Sequence, residues 1–438
     1  MNAPSSYDYA PSIKLPDVPR LCRKRATLFL GTDRHIDEGT SNQEKRVGVT
    51  PMQAKMLREW LEGIGVSLMF YVIKDTGIDA NCPDRDYEAV GATIVKENEL
   101  SSLSSGPDVV HALKEPSPYE SMIPGFFMRI GALHVGSFRP SCGLAALLRK
   151  RNFSAILDGS AVGGFTCRLS KTFQAPLRCS MSVFASRVAA DTVAQNLASR
   201  SKVVISGGGV VGVSALNRLL ELGEDQYSEI LIIEADRERY HHLNRMFRDR
   251  PVIRTKLADQ VSVEDLHDAN GLILAAFRPG MRAPKVVESQ SLENLRRGSV
   301  IVDVSIDEGG CISTPDGITA EEAITELDKD LIYVADAHLP RMYPSEASEA
   351  HGRAVLPYLA TLLYLSVSSG GPAQATNYIL HTNSTTISSD YFTALVQDLK
   401  NGLAFTGPTP VCINGAVVRA KQTITDFLSQ EGVRFALY

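Results

Sequence analysis

Cysteine is sparse and scattered in this 438-residue sequence: Cys22, Cys82, Cys142, Cys167, Cys179, Cys311 and Cys412 include no Cys-x-x-Cys pair. Their odd number and wide spacing argue against a disulfide framework and a zinc ribbon, fit a reducing compartment, and suggest no metal site. An excess of one charge is also missing. The 45 Lys+Arg against 50 Asp+Glu leave a net charge of −5, which gives no general electrostatic reason to bind nucleic acid or a membrane surface. Long hydrophobic runs are absent. The longest apolar stretch, Val355 to Val367, is interrupted by Pro357 and is shorter than the ~20 residues of a membrane-spanning helix. The first residues carry Pro4, Pro11, Pro16 and Pro19 and no apolar block, so no secretory signal is read there. The expectation is a soluble, cytoplasmic protein.

What is present is enough apolar residue, 44%, to build a core, in a chain long enough for two domains. Ala26–Gly31 reads as a buried strand closed by glycine. Thr50 followed by Pro51 is a helix start, and Met56, Leu57, Trp60, Leu61 and Ile64 follow at helical spacing. Val66–Ile73, Val109–Leu113 and Ile130–Val135 continue as strands. The middle of the chain repeats the alternation: strands at Lys202–Ser206, Glu229–Glu234, Gly271–Ala276, Ser299–Ser305 and Leu331–Asp336, with helices at Val210–Leu222 and Asp236–Phe247. Continuous apolar cores mark strands buried on both faces of a mostly parallel sheet, hence an α/β architecture. Two long helices are expected, Met181–Ala198 and Ser345–Leu365, the latter with Gly352 and Pro357 as places where it could bend. Residues 366–410, rich in Ser, Thr, Gly and Asn, resist assignment.

Gly207-Gly-Gly209-Val-Val-Gly212 follows strand Lys202–Ser206 and opens a helix. Gly207 permits the tight turn, Gly209 lets the backbone approach a pyrophosphate, and Gly212 allows close helix–strand packing. The helix N-terminus, at Val210 and Val211, then faces the phosphates. Glu234 ends the next strand, 27 residues beyond Gly207, where a carboxylate binds ribose hydroxyls. It favours NAD by repelling a 2′-phosphate, while Arg237 and Arg239 just downstream leave NADP open. Ala276 and Asp303, at the ends of later strands, are further candidate contacts to this cofactor.

Three residues outside this unit are unusual for their surroundings. Arg46 sits just before the first helix, where a guanidinium chelates a carboxylate. Lys114 follows an apolar strand, at the edge where α/β sheets bind ligands. His134 interrupts an apolar strand between Gly131 and Gly136, and its titration range suits proton transfer. A surface arginine, an ion pair with Glu115 and a core histidine are the plain alternatives. A fourth place, Val300–Gly310, carries Asp303 and Asp307 at a strand end; two such aspartates cost desolvation unless partnered.

Seven segments in order resemble the alanine dehydrogenase / transhydrogenase N-terminal superfamily and its relative saccharopine dehydrogenase: Glu44–Pro51, Leu113–Pro116, Leu133-His134, Ser180–Ser182, Gly207–Gly212, Arg278–Pro284 and Val302–Gly310. The resemblance implies two Rossmann-like domains. A central NAD(P)-binding domain, 180–341, would be inserted into a discontinuous catalytic domain, 27–179 and 342–438, linked by the two long helices after a flexible Pro-rich arm, 1–26. Substrate would lie in the cleft between the domains. Arg46 and Lys114 would bind the substrate carboxylate and carbonyl, His134 would be the general acid/base, Asp307 a second catalytic group, and Ser182 a contact to the cofactor phosphates. A homo-oligomer is also implied. The stretch Asp336-Ala-His338-Leu-Pro340 onward to Glu349 is closer to saccharopine dehydrogenases and carboxyethylornithine synthases than to the Asn-Met-Pro of alanine dehydrogenases, and it places His338 near the nicotinamide.

The leading expectation is therefore an NAD(P)-dependent dehydrogenase of the saccharopine or opine type, joining a keto acid and an amino acid at a secondary amine. The runner-up is an alanine-type dehydrogenase using ammonia and pyruvate. A third reading, from another class, is a non-catalytic nucleotide-binding subunit of a transhydrogenase-like assembly.

Overall fold

The computed structural model describes residues 13–22, 24–30, 44–96, 99, 107–114, 133–137, 155–158, 165–166, 173–278, 282–327, 329–381, 391–406 and 409–410. The chain divides into two compact units. One is built mainly on Met181–Met342; the other on Tyr9–Gly164, Ala175–Ser180 and Tyr343–Tyr438, so it draws on both ends of the chain. Both are α/β with a parallel sheet.

The unit built on Met181–Met342 carries six parallel strands. In spatial order they are Ile253–Leu257, Tyr227–Glu234, Ser201–Ser206, Gly271–Leu274, Val300–Asp303 and Ile332–Val334. In chain order this is third, second, first, fourth, fifth, sixth. The order reverses between Ser201–Ser206 and Gly271–Leu274, and ligands of such sheets bind at the carboxyl ends there. The apolar runs are buried as their composition requires: Val203, Val204, Ile205, Ile230, Leu231, Ile301 and Val302 have no exposed surface. Three residues, Gly207 to Gly209, separate the end of the first strand from helix Val210–Gly223. Helix Arg237–Met246 starts at Asp236, whose side chain accepts from the Arg239 N–H.

The second unit repeats the order. Thr93–Val95, Val66–Ile73, Lys24–Leu30, Val109–Lys114, Leu133–Ser137 and Ala155–Asp158 lie side by side and parallel, again third, second, first, fourth, fifth, sixth. Leu403–Thr406 and Thr409–Pro410 extend this sheet antiparallel. The unassigned tail therefore holds sheet-forming residues, with helices Pro372–His381 and Tyr391–Gly402 ahead of them. Helix Pro51–Gly63 starts where Thr50-Pro51 predicts, with the Thr50 N–H donating to Gln53 Oε1 at 2.9 Å.

Helix Pro344–Ser369 continues through Gly352 and Pro357. Its Leu356, Leu359, Leu362 and Leu363 are fully buried among Leu28, Leu57 and Leu61, and this packing outweighs the hydrogen bond lost at Pro357. Residues 13–22, assigned to a flexible arm, lie against the same core: Ile13, Leu15 and Leu21 pack on it, and the Trp60 indole N–H donates to the Pro16 carbonyl at 3.0 Å. Apolar side chains between the prolines anchor the segment. The strand expected over Ile130–Val135 is Leu133–Ser137, and its first three residues lie outside the described residues. No single helix among the described residues is long and apolar enough to cross a membrane.

Candidate functional sites in the two units

The glycine loop leaves the first strand of the nucleotide unit at its carboxyl end, beside the point where strand order reverses. Gly207 has φ of +99°, and a Cβ there would lie 2.6 Å from the Ala275 carbonyl oxygen. A Cβ on Gly212 would lie 1.8 Å from the Gly207 carbonyl oxygen, so only glycine fits. Gly209 is different: a Cβ would meet nothing within 4 Å, and Gly209 is the N-cap of a helix that no side chain caps. Open space in front of an uncapped helix N-terminus is what an approaching pyrophosphate requires. Val210 and Val211 form the first turn of that helix.

Glu234 is 3% exposed and organises the neighbouring wall. Its Oε2 accepts from the Gly208 N–H at 2.9 Å, and its Oε1 from the Asp236 N–H at 2.7 Å. Arg239 pairs with it at 3.1 Å, while Arg237 pairs with Asp259 at 2.7 Å. Both arginines that left NADP open thus engage carboxylates of the protein. The glycine loop, the uncapped helix and the acid at the end of the second strand fit a nicotinamide dinucleotide.

Asp303, a candidate contact to the cofactor, holds the local backbone. It is 1% exposed, and its oxygens accept from the Ser305 N–H at 3.0 Å and the Cys311 N–H at 2.8 Å. It thereby ties both ends of the turn Ile306–Glu308, which carries Asp307. Burial raises its pKa against the pull of those two hydrogen bonds. The same turn is held by the Lys285 ammonium on the Gly309 and Gly310 carbonyls, at 2.6 and 2.9 Å. Ser305 Oγ donates to the carbonyl of Ala276, which is 9% exposed. Burial and the nearby Asp303 push the Cys311 thiol up to about 12, so it is inert packing. His338, also 9% exposed, donates its backbone N–H to Asp336 Oδ1 at 2.7 Å, and Asp336 pairs with Arg341 at 2.8 Å. Ser182 lies in helix Pro176–Gln195, its carbonyl accepting from Ser186 Oγ at 2.6 Å.

In the second unit, Arg46 is 2% exposed and clamped by a residue to which the sequence reading gave no role. Glu44 takes its Nε at 2.6 Å and its Nη2 at 2.5 Å, a side-on bidentate pair. Pairing offsets the cost of burying the guanidinium and fixes the direction of its planar fork. A carboxylate two residues from an arginine in Glu44-Lys-Arg46 was the available signal.

Lys114 and His134 are placed by backbone register; their side chains lie outside the described residues. Lys114 is the last residue of its strand and pairs with Ser137, whereas His134 pairs with Val110. The sheet therefore brings Lys114 to its carboxyl edge and sets His134 further back along the neighbouring strand. Two more histidines of this unit were not anticipated: His111, fully buried, and His351, 4% exposed, stack with centroids 5.4 Å apart and rings 2° from parallel. No group of three metal-ligating side chains occurs among the described residues.

Comparison with known proteins places both units. The model of the alanine dehydrogenase/PNT N-terminal domain matches residues 35–156, and that of the alanine dehydrogenase/PNT C-terminal domain matches 181–386. The alanine dehydrogenase of Bacillus subtilis (strain 168) is 29% identical over 76% of this chain and 84% of its own length. That of Halomonas elongata is 27% identical over 75% and 86%. A solved L-alanine dehydrogenase superposes with a TM-score of 0.64 at 24% identity, covering 91% of this chain and 99% of that one. A transhydrogenase from Sinorhizobium meliloti gives 0.56 at 17%, covering 78% and 96%, and both structures share the fold of two Rossmann-like domains. With two domain models matched in order over most of its length, this chain belongs to the alanine dehydrogenase/PNT family, an NAD-dependent oxidoreductase as its glycine loop and Glu234 lead one to expect.

Proposed function

We propose that the protein is an alanine-type amino-acid dehydrogenase, interconverting alanine and NAD+ with pyruvate, ammonium and NADH. The observation that carries this reading is the match to alanine dehydrogenases along 76% of the chain. Of the two dehydrogenase expectations drawn from the sequence, it favours the ammonia-using runner-up over the saccharopine or opine type.

When bound, the nicotinamide exchanges hydride with the substrate α-carbon. Arg46, its fork oriented by Glu44, receives the substrate carboxylate, and Lys114 polarises the carbonyl from its strand end. In the oxidative direction the amine becomes an iminium ion on losing hydride. Water then adds while His134 accepts its proton, and the carbinolamine collapses to keto acid and ammonia as His134 returns it. Positioned proton transfer of this kind contributes roughly 10²–10⁴-fold. Asp307, on the turn tied by Asp303, is assigned a proton-relaying role.

The second reading, condensation of a keto acid with an amino acid, is favoured by one feature, the His338-Leu-Pro340 loop and the Glu346-Ala-Ser-Glu349 that follows it. Oxidation of NADH with pyruvate or 2-oxoglutarate separates the two, with ammonium, lysine or ornithine as the amine. Turnover with pyruvate and ammonium alone is expected. Turnover that requires lysine or ornithine would transfer the assignment to the second reading, and NADH binding without turnover by any pair would leave a nucleotide-binding subunit.

A further inference from the structure

Helix Pro344–Ser369 is buried over most of its length, with largely apolar side chains from Ala354 to Val367. His351 is out of place in it. The residue is 4% exposed, and among the described residues neither Nδ1 nor Nε2 has a hydrogen-bond partner. Unmet buried polar atoms destabilise a fold, and a leucine at this position would remove the cost. A buried side chain whose polar atoms go unmet is a candidate for function.

The neighbours of His351 show what it touches. Its ring lies flat on His111, 5.4 Å between centroids. His111 in turn roofs Gly48: a Cβ there would come within 2.6 Å of His111 Nε2. Gly48 is two residues beyond Arg46, and the residue between them, Val47, donates its N–H to Ser348 Oγ at 2.8 Å. Gln53 Nε2 donates to the Glu349 carbonyl at 2.8 Å. Ser348, Glu349 and His351, all near the start of one helix, thus brace the segment that carries Arg46. Burial, the adjacent His111 and the Arg46 cation hold the His351 pKa well below that of an ordinary histidine, against the opposing pull of Glu44. An uncharged ring therefore backs the arginine.

We propose that His351, acting through His111 and Gly48, is a positioning residue that sets the backbone of Arg46-Val47-Gly48 and with it the aim of the Arg46 guanidinium at the substrate carboxylate. This rests on the reading of Arg46 as the carboxylate site. Misdirecting that fork weakens binding of the keto acid and leaves binding of the dinucleotide untouched.

Steady-state NADH oxidation with pyruvate and ammonium tests this on the full chain. In His351→Leu the pyruvate KM should rise about tenfold, the NADH KM should stay within twofold, and the melting temperature should equal or exceed that of the wild type. Gly48→Ala, which drives a methyl into His111, should raise the pyruvate KM as well. Adding His111→Ala to it should recover part of the loss, a non-additivity that independent structural damage does not produce. A pyruvate KM within twofold of wild type in His351→Leu overturns the proposal. Should His351→Leu fail to fold, the Gly48 and His111 pair decides, and additive effects there overturn it. Arg46→Lys is run alongside. An unchanged pyruvate KM in that variant overturns the carboxylate-site reading itself, a failure distinct from an unchanged KM in the other variants.

Discussion

Replacing Glu234 with glutamine should change which nicotinamide dinucleotide the protein accepts. The carboxylate is 3% exposed and bound to the Gly208 and Asp236 N–H groups and to Arg239. A 2′-phosphate brought within ~4 Å of it meets a repulsion of about 4 kcal/mol per unit charge at an effective dielectric of ~20, or about three orders of magnitude in affinity. Arg239, at 3.1 Å from the carboxylate, offsets part of that, so a preference for NADH of about 10²-fold is expected in the wild type. In Glu234→Gln the charge that repels a phosphate is gone, while the Arg239 cation stays beside it. The amide also sets a donor against one of the two backbone N–H groups, at a cost of about 1–3 kcal/mol that falls on both cofactors. The kcat/KM with NADH should therefore drop about tenfold, while that with NADPH rises about tenfold, so that the ratio moves by about two orders of magnitude. The assay is kcat/KM for each dinucleotide at fixed pyruvate and ammonium, with Arg239→Ala in the same background to remove the gain. Equal use of both dinucleotides by the wild type, or an unchanged ratio in the variant, would refute the reasoning.

Other substitutions probe the rest of the site and the fold. Gly212→Ala, whose methyl would sit 1.8 Å from the Gly207 carbonyl oxygen, should abolish NADH binding in a fluorescence titration; an unchanged Kd would remove the loop as the cofactor's seat. Lys114→Ala and His134→Ala should each lose most turnover while still binding NADH, and wild-type turnover in either would remove that residue from the chemistry. Asp265 is pushed up by burial but pulled down further by Lys256 and Ser262, to about 2 from 3.8. A depressed carboxylate stabilises the fold above its unfolded pKa and loses that contribution as pH falls towards the folded value, here between 3.8 and about 2. Asp265→Asn should thus cost about 2 kcal/mol in denaturant unfolding at neutral pH and progressively less below the ordinary carboxylate range, whereas a deficit independent of pH would contradict it.

Local order was legible in the sequence, and spatial order was not. Continuous apolar runs such as Ser201–Ser206 and Gly271–Leu274 announce buried strands, and the glycine loop between strand and helix announces a phosphate cradle. Nothing local says that two sheets share the same strand order, because pairing joins residues far apart in sequence. Strand Ile253–Leu257 went unread because at the sheet edge it keeps polar side chains, Arg254 and Lys256, where the inner strands are apolar. The tail looked loop-like by composition, yet Ala375 and Ile379, and Leu395, Val396 and Leu399, keep helical spacing and are buried. His134 stood out as a histidine in an apolar strand; by the same test so should His111, inside Val109–Lys114. Its stacking on His351 could not be read, since it depends on the helix packing back over the strand. Asp303 was recognised as needing partners, but the N–H groups it takes, Ser305 and Cys311, appear only once the turn is folded.

In an alanine-type dehydrogenase the amine nitrogen enters as ammonia at the carbonyl of a keto acid. Nitrogen-15 NMR on the purified full-length protein with pyruvate, NADH and 15N-ammonium follows that nitrogen directly. One 15N-alanine should form for each NADH oxidised, with neither lysine nor ornithine present. Label remaining in ammonium, with NADH consumed only after lysine or ornithine is added, would contradict it.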